Sequence, residues 1–338
     1  MLECDVEIRR REFPVVAALA VAGGERVALF GPSGAGKTSV IEAIAGLVPV
    51  QRGRIALDGR ALTIAGSVAV PVHQRRVGLV RQNQALFPHM SVRDNLRFGR
   101  PEGSGEAAFH RLGERLGLTA LLGALPHALS GGQRQRVAFA RTLLSDYRAL
   151  LLDEPYTGLD AALRTTLAAV VTDAVAERGV PAVLVTHDLA EAQDFADRLV
   201  VIDRGRVLQQ GAPDEVVARP VSRRVAELLG YRSFLSGRLI GRAAEECVGV
   251  HPERVQAGVR PGMGPALAGT VERARPHGGQ WAVDVRVDGA EPLSAVLPEP
   301  AGVGERIALT LVDPPVFGPD GTARRRTREQ AVQAGRGT

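Results

Sequence analysis

Val27-Ala28-Leu29-Phe30-Gly31-Pro32-Ser33-Gly34-Ala35-Gly36-Lys37-Thr38-Ser39 decides the fold. Four apolar residues run into a glycine-rich turn, and a second apolar stretch, Val40 to Leu47, follows it. Such a short apolar run without alternation reads as a strand buried on both faces. The turn matches G-x-x-x-x-G-K-[ST] in the strand–loop–helix setting that the motif requires. Its glycines let backbone N–H groups turn inward around phosphate oxygens, and the helix N-terminus adds partial positive charge. The stretch therefore assigns Gly31, Pro32, Ser33, Gly34, Ala35, Gly36, Lys37, Thr38 and Ser39 to a triphosphate cradle. Lys37 would reach the β- and γ-phosphates and the Thr38 hydroxyl would ligate Mg²⁺.

Lys37 is the chain's lone lysine: lysine and arginine total 42, so the other 41 are arginines. An ammonium is a compact point charge on a slim stem, whereas a guanidinium is planar and wider. A closed ring of amides around a phosphate explains why one position keeps the smaller cation.

Working outward, the 338 residues are 45% hydrophobic and 23% charged, which excludes disordered and collagen-like classes and suggests about two domains. The net charge of +5 invites a nucleic-acid reading. However, Arg324, Arg325, Arg326, Arg328 and Arg336 against Glu329 put +4 of it in the last stretch, which leaves the body almost without surplus. That tail is either a solvated end or a phosphate- or lipid-binding segment. Cys4 and Cys247 form no disulfide framework and no zinc spacing, as expected of a reduced compartment. No apolar run approaches the roughly 18–20 residues of a membrane span, and the N-terminus lacks signal-peptide character. A soluble chain is expected, held at a membrane only through partners.

Further buried-strand runs are Val77–Val80, Leu150–Leu152 and Ala182–Val185. With helical stretches between them they predict an α/β fold around a parallel sheet. The segment 84–129 has no such run; its helical stretches, about Val92–Leu96 and Ala107–Leu116 with breaks at Gly103 and Gly105, predict a helical insertion. Leu199–Ile202, an Arg204-Gly205 turn and Val207-Leu208 close the sheet region, and an amphipathic helix is expected over Val221–Leu229. Beyond it, Val283, Val285 and Val287 alternate with Ala282, Asp284 and Arg286, with Trp281 on the same face, and Ile307–Val312 reads as another strand. The expected organisation is 1–230 as the nucleotide-binding domain, 232–318 as a small all-β, barrel-like domain, and 319–338 as a disordered basic tail.

Leu150-Leu151-Leu152-Asp153-Glu154 places two carboxylates at the C-terminal end of a buried strand, where open α/β sheets bind ligands. Asp153 suits Mg²⁺ and Glu154 suits a general base for the attacking water; either could instead cap the turn at Pro155 and Gly158. His187, in Val185-Thr186-His187-Asp188, ends another such strand and could donate to a γ-phosphate. A second glycine turn, Leu129-Ser130-Gly131-Gly132-Gln133, opens a helix with Ser130 as N-cap candidate. Two phosphate cradles in one chain make sense if two copies face each other.

Taken together, LSGGQ at 129–133, the GPSGAGKT loop, LLLDEP at 150–155, Gly158-Leu159-Asp160 and the VTHD histidine resemble an ATP-binding cassette (ABC) ATPase over about residues 1–230. The resemblance implies a P-loop NTPase (RecA-like) core with a helical signature subdomain at about 84–140, ATP and Mg²⁺ as cofactors, and a head-to-tail homodimer. It implies that Gln82 links Mg²⁺ to the helical subdomain, and that Asp160 lies at the dimer interface. Ser130, Gly131, Gly132 and Gln133 would approach the partner's ATP, and Phe13 either stacks on adenine or packs on the core. The catalytic set is Glu154, His187 and Gln82, and the metal set is Thr38, Gln82 and Asp153.

The stretch from Gln74 to Leu96 resembles the docking region of bacterial importer ATPases. Phe87, Pro88 and Met90 would receive a membrane subunit or else pack beneath the helical subdomain. Residues 234–238 and 248–253 resemble fragments of a regulatory (TOBE/Mop-like) domain. The resemblance thus implies an importer ATPase on the cytoplasmic face of the membrane, with two polytopic permease subunits, an extracytoplasmic solute-binding protein acting indirectly, and no nucleic acid. The wording is most like molybdate transporters, with sulfate, iron and polyamine importers as alternatives. A soluble ABC ATPase acting on nucleic acid is the reading from another class.

Overall fold

The structure, a computed structural model, describes residues 1–64, 67–81, 86–100, 106–290 and 292–324. It divides into two compact units, Met1–Pro213 and Asp214–Thr338.

The first unit is built on an eleven-stranded sheet. Its strands are β1 (Leu2–Ile8), β2 (Val15–Val21), β3 (Arg26–Phe30), β4 (Arg52–Leu57), β5 (Arg60–Ile64), β6 (Ser67–Val68), β7 (Val77–Val80), β8 (Ala149–Asp153), β9 (Ala182–Thr186), β10 (Arg198–Asp203) and β11 (Arg206–Gly211). The order is β6-β5-β4-β1-β2-β11-β10-β3-β9-β8-β7. From β10 to β7 all neighbours are parallel. Every residue of β8 and β9 is buried, as strands covered on both faces must be.

β6, β5, β4, β1 and β2 pair antiparallel, as do β10 and β11; of these the sequence predicts only β10 and β11, at Leu199–Ile202 and Val207-Leu208. The signal of β1 is plain: Leu2, Cys4, Val6 and Ile8 are buried while Glu3, Asp5 and Glu7 between them are more exposed, the period of a strand with one wet face. A single parallel bridge, Arg206 to Val16, joins β11 to β2.

Helices cover the parallel part. α1 (Lys37–Ala45) follows β3 and packs on β1, β2, β8 and β9. The expected helical insertion contains α2 (Val92–Arg97), α3 (Glu106–Arg115) and α4 (Gly131–Leu144), with α4 against α2, α3 and β7. Gly103 and Gly105, expected as helix breaks, lie outside the described residues. α5 (Ala161–Arg178) and α6 (Leu189–Phe195) flank β9 in sequence. Arg75, only 2% exposed, anchors the back of α1. Its guanidinium donates to Ala43 O (3.2 Å) and Ile44 O (2.9 Å) at the helix C-terminus, and to Val70 O, Leu62 O and Thr63 Oγ1. A buried cation is held here by backbone carbonyls and the negative end of a helix.

The second unit includes α7 (Pro213–Ala218) from its second residue and α8 (Arg223–Leu228). The helix expected at 221–229 is therefore α8, with Ser222 as its N-cap, and it groups with the second unit rather than with residues 1–213. The β part forms two antiparallel sheets. One is β12 (Ser233–Ser236), β13 (Cys247–Val250) and β19 (Val316–Phe317), in that order. The other contains β14 (Val255–Ala257), β15 (Ala266–His277), β16 (Gln280–Val287), β17 (Pro292–Leu297) and β18 (Arg306–Leu311), ordered β14-β18-β15-β16-β17. Its edge strands β14 and β17 approach each other without pairing, giving a curled sheet in place of a closed barrel. Val283, Val285 and Val287 join one core, and Trp281 packs against it partly buried.

Residues 319–324, expected in a disordered tail, are instead tied down. Arg223 N donates to Gly321 O (2.8 Å), Ala323 N to Val221 O (2.9 Å) and Arg324 N to Val316 O (2.7 Å). Backbone pairing with β19 and the start of α8 accounts for this order. Residues 325–338 lie outside the described residues.

Candidate functional site

Because β3, β8 and β9 are parallel neighbours, their C-terminal ends fall on one edge. The glycine loop leaves β3, Asp153 and Glu154 end β8, and His187 follows β9.

The loop is shaped by close approach. A Cβ on Gly31 would lie 2.0 Å from Ile202 O, and Gly36 holds φ at +104° with Val15 Cγ2 2.7 Å from where its Cβ would be. Gly36 caps α1 with no side-chain acceptor, so the first amides of the helix face the loop free of side-chain caps. Lys37 is 4% exposed, and its Nζ donates to Gly31 O (2.7 Å) and Pro32 O (2.9 Å). Burial draws its ammonium below the ordinary lysine range, opposed by the charges of Glu154 and Asp153. Ser39 is buried and accepts from Arg10 Nε (2.8 Å).

Thr38 Oγ1 donates to Asp153 Oδ1 at 2.9 Å. Burial lifts the Asp153 carboxyl above its usual range, the Thr38 hydrogen bond pulls it down, and the charges of Glu154 and Glu42 push it up. Two hard oxygen donors in contact, one a carboxylate disfavoured as an anion, fit a small dication.

Glu154 adopts φ +44°, a strained conformation for a non-glycine residue. Its N–H donates to Val185 O (2.9 Å), which fixes it to β9. His187 Nδ1 lies 3.1 Å from Glu154 Oε1, and Thr157 Oγ1 donates to Glu154 Oε2 at 3.3 Å. With Nδ1–H toward the carboxylate, only an imidazolium also offers an N–H at Nε2.

A cleft of about 530 Å³ brings together Phe13, Val15, Ser33, Gly34, Gly36, Lys37, Thr38, Ser39 and Glu154. Phe13 thus stands beside the phosphate loop while also packing on the main core. Arg10 and Arg11 line the same cleft and were missed; the run Arg9-Arg10-Arg11 just ahead of Phe13 was the available signal.

The glycine turn at 130–133 stands apart: Ser130, Gly131, Gly132, Gln133 and Asp160 do not line that cleft. Ser130 and Gln133 form a reciprocal capping box on α4, with Gln133 N donating to Ser130 Oγ (3.2 Å) and Ser130 N to Gln133 Oε1 (2.8 Å). Asp160 caps α5, accepting from Leu163 N at 2.9 Å. Gln82 lies outside the described residues. Phe87 packs within the helical subdomain, its ring centroid 4.4 Å from that of Phe98 and under Arg141, and buried Asn95 clamps the loop through Phe87 and Met90. Pro88 is exposed.

A glycine loop of this kind, between a strand and a helix at the edge of a parallel sheet, is the phosphate-binding element of P-loop nucleoside triphosphatases. A family model described as ABC transporter matches residues 16–157. The chain is 44% identical to the Fe(3+) ions import ATP-binding protein FbpC of Pseudomonas fluorescens, over 70% of this chain and 68% of that one. It is 37% identical to the Fe(3+) ions import ATP-binding protein FbpC 1 of Rhodococcus jostii, over 87% and 88%. Among solved structures it resembles a dimeric, post-hydrolysis ATP-binding cassette, MJ0796, bound to ADP and Pi, with 26% identity and a TM-score of 0.55 over 63% of this chain and 99% of that one. The chain belongs to the ATP-binding proteins of ABC transporters, and it is an ATPase. Among the described residues no helix is long and apolar enough to cross a membrane.

Proposed function

We propose that the chain is the ATP-hydrolysing subunit of a bacterial importer for ferric iron. The observation that carries the cargo is the alignment to relatives named for Fe(3+) import, one of which extends over 87% of this chain, beyond the nucleotide-binding unit. The molybdate wording of residues 74–96 finds no counterpart in the names of those relatives, so iron, one of the alternatives from sequence, takes its place.

In this reading, two copies close over two ATP molecules on the cytoplasmic face of the membrane. The separation of the 130–133 turn from the Lys37 cleft supports such a pairing, since each copy then supplies what the other's cleft lacks. Loop amides and Lys37 hold the β- and γ-phosphates. Thr38 and Asp153, with Gln82, would hold Mg²⁺, which when bound neutralises charge on the β- and γ-oxygens. Glu154 takes the proton of the attacking water, and His187, braced by Glu154 through Nδ1, offers Nε2 to the γ-phosphate. Phe13 stacks on the adenine. Two permease subunits dock at the loop containing Pro88, and a solute-binding protein delivers the cargo outside.

The test is co-purification with the membrane subunits and reconstitution in vesicles. Ferric-loaded binding protein should raise ATP turnover; stimulation by molybdate instead would overturn the iron assignment. Glu154→Gln should elute as a dimer with Mg-ATP, and a variant that stays monomeric argues against the closed pair.

A further inference from the structure

We propose that Glu191 is a positioning residue for ATP hydrolysis. It sets the His187 turn and, through Arg164, ties that turn to the helix that begins at Asp160. The inference rests on the reading above in which His187 acts at the γ-phosphate and Asp160 lies where two copies meet.

One hydroxyl controls both sides of His187. Thr186 Oγ1, on a residue only 1% exposed, accepts from Asp188 N at 3.0 Å and donates to Glu191 Oε2 at 2.7 Å. Glu191 thereby selects the rotor that leaves the Thr186 oxygen free to accept. Asp188 Oδ1 accepts from Ala190 N (2.9 Å) and Glu191 N (3.2 Å), so the carboxylate itself sits on the first, capped turn of α6. His187, whose side chain is half exposed, faces Glu154 from between these two residues, and in this proposal they set its orientation.

The other oxygen of Glu191 faces α5. Oε1 lies 3.8 Å from Arg164 Nε, too long for a hydrogen bond. Among the described residues, Arg164 Nε is nonetheless buried without a hydrogen-bond partner, and so is Tyr156 Oη. The Tyr156 phenol is pushed well above its ordinary range by burial and by the charge of Glu191. The Glu191 side chain is only 12% exposed. Burial lifts its carboxyl, against the downward pull of the Thr186 hydrogen bond.

A buried, unpartnered guanidinium nitrogen about one ångström short of a carboxylate is an unfinished contact. A small shift of α5 completes it. Arg164 stands in the first turn of that helix, its N–H donating to Asp160 O at 3.0 Å, so displacement of the Asp160 turn carries it along. Two arrangements follow, a long and a direct Arg164–Glu191 contact, and a partner copy pressing on Asp160 biases them. The direct contact holds Glu191, hence Thr186, hence His187 against Glu154.

The experiment measures steady-state ATP turnover in the full-length chain for Glu191→Gln, Arg164→Met, the double variant, Arg164→Lys, Thr186→Val and Thr186→Ser. Glutamine keeps an oxygen for the Thr186 hydroxyl but loses the charge that Arg164 needs. Glu191→Gln and Arg164→Met should each lower kcat about tenfold with KM for ATP within about twofold, and the double variant should be no worse than the poorer single. Arg164→Lys should recover part of the loss; Thr186→Ser should behave as wild type and Thr186→Val as Glu191→Gln. Losses that multiply in the double variant, a rise in KM matching the fall in kcat, or no recovery in Arg164→Lys would overturn the relay. If Glu191→Gln fails to fold, the Thr186 and Arg164 pairs decide alone. Absence of turnover in the wild type would sink the hydrolytic reading itself; normal turnover in wild type and variants alike would sink only the relay.

Discussion

Replacing Lys37 by arginine keeps the charge and changes only its shape, so it isolates why this position alone is lysine. The ammonium lies at 4% exposure inside the loop, 2.7 and 2.9 Å from the Gly31 and Pro32 carbonyl oxygens. The ring cannot widen easily: the Cβ position of Gly31 is already 2.0 Å from Ile202 O, and that of Gly36 is 2.7 Å from Val15. Forcing a larger group into a packed site costs about 1–3 kcal/mol. A cation displaced from the phosphates forfeits transition-state stabilisation of about 3 kcal/mol, by analogy with the loss of a single preorganised donor. The second figure alone is a rate loss of over a hundredfold at about 1.4 kcal/mol per decade. The assay is phosphate release under saturating Mg-ATP, with thermal unfolding alongside. Lys37→Arg should lose at least about a hundredfold in kcat while unfolding cooperatively at a somewhat lower temperature. Turnover within about threefold of wild type would refute the argument that the loop admits only an ammonium.

Arg75→Met should destabilise the first unit by about 3–5 kcal/mol, because five buried acceptors lose their donor; a shift in denaturation midpoint worth under about 1 kcal/mol would refute this. Asp153→Asn should raise the melting temperature of the nucleotide-free chain, since burial and the neighbouring carboxylates disfavour the Asp153 anion, while turnover falls about a hundredfold or more; a lower melting temperature would contradict that balance. Asp197, hydrogen-bonded by Arg26, is held below the carboxylate value of 3.8. Its contribution is complete above that unfolded value and is lost as pH falls through the folded one, so Asp197→Asn should cost most stability near about pH 6 and progressively less as the pH is taken below 3.8. A loss that does not shrink as the pH falls, read by urea titration, would count against the assignment.

Local pattern made much of this protein legible. The loop from Gly31 to Thr38, the parallel strands, and the carboxylates and histidine that end two of them follow from short apolar runs and glycine spacing, which act within a few residues. The period-two signal of β1 is equally local, but a half-exposed strand carries no continuous apolar run to mark it. Ser130, Gln133 and Asp160 show the limit of such reading: each is also a good helix cap, and the chain taken alone uses them so.

By itself the sequence determined a glycine loop with the chain's lone lysine and the family to which that loop belongs, since a turn of glycines before a helix has few other uses. Only the tertiary structure decided which carboxylate meets Thr38 and which meets His187, because that choice brings together residues far apart in the chain, such as Thr38 and Asp153, 115 residues apart, through β9 lying between β3 and β8. It alone revealed the buried Arg75 anchor, the order of residues 319–324 and the unfinished Arg164–Glu191 contact. Burial and distance between remote side chains are properties of packing, and no local pattern encodes them.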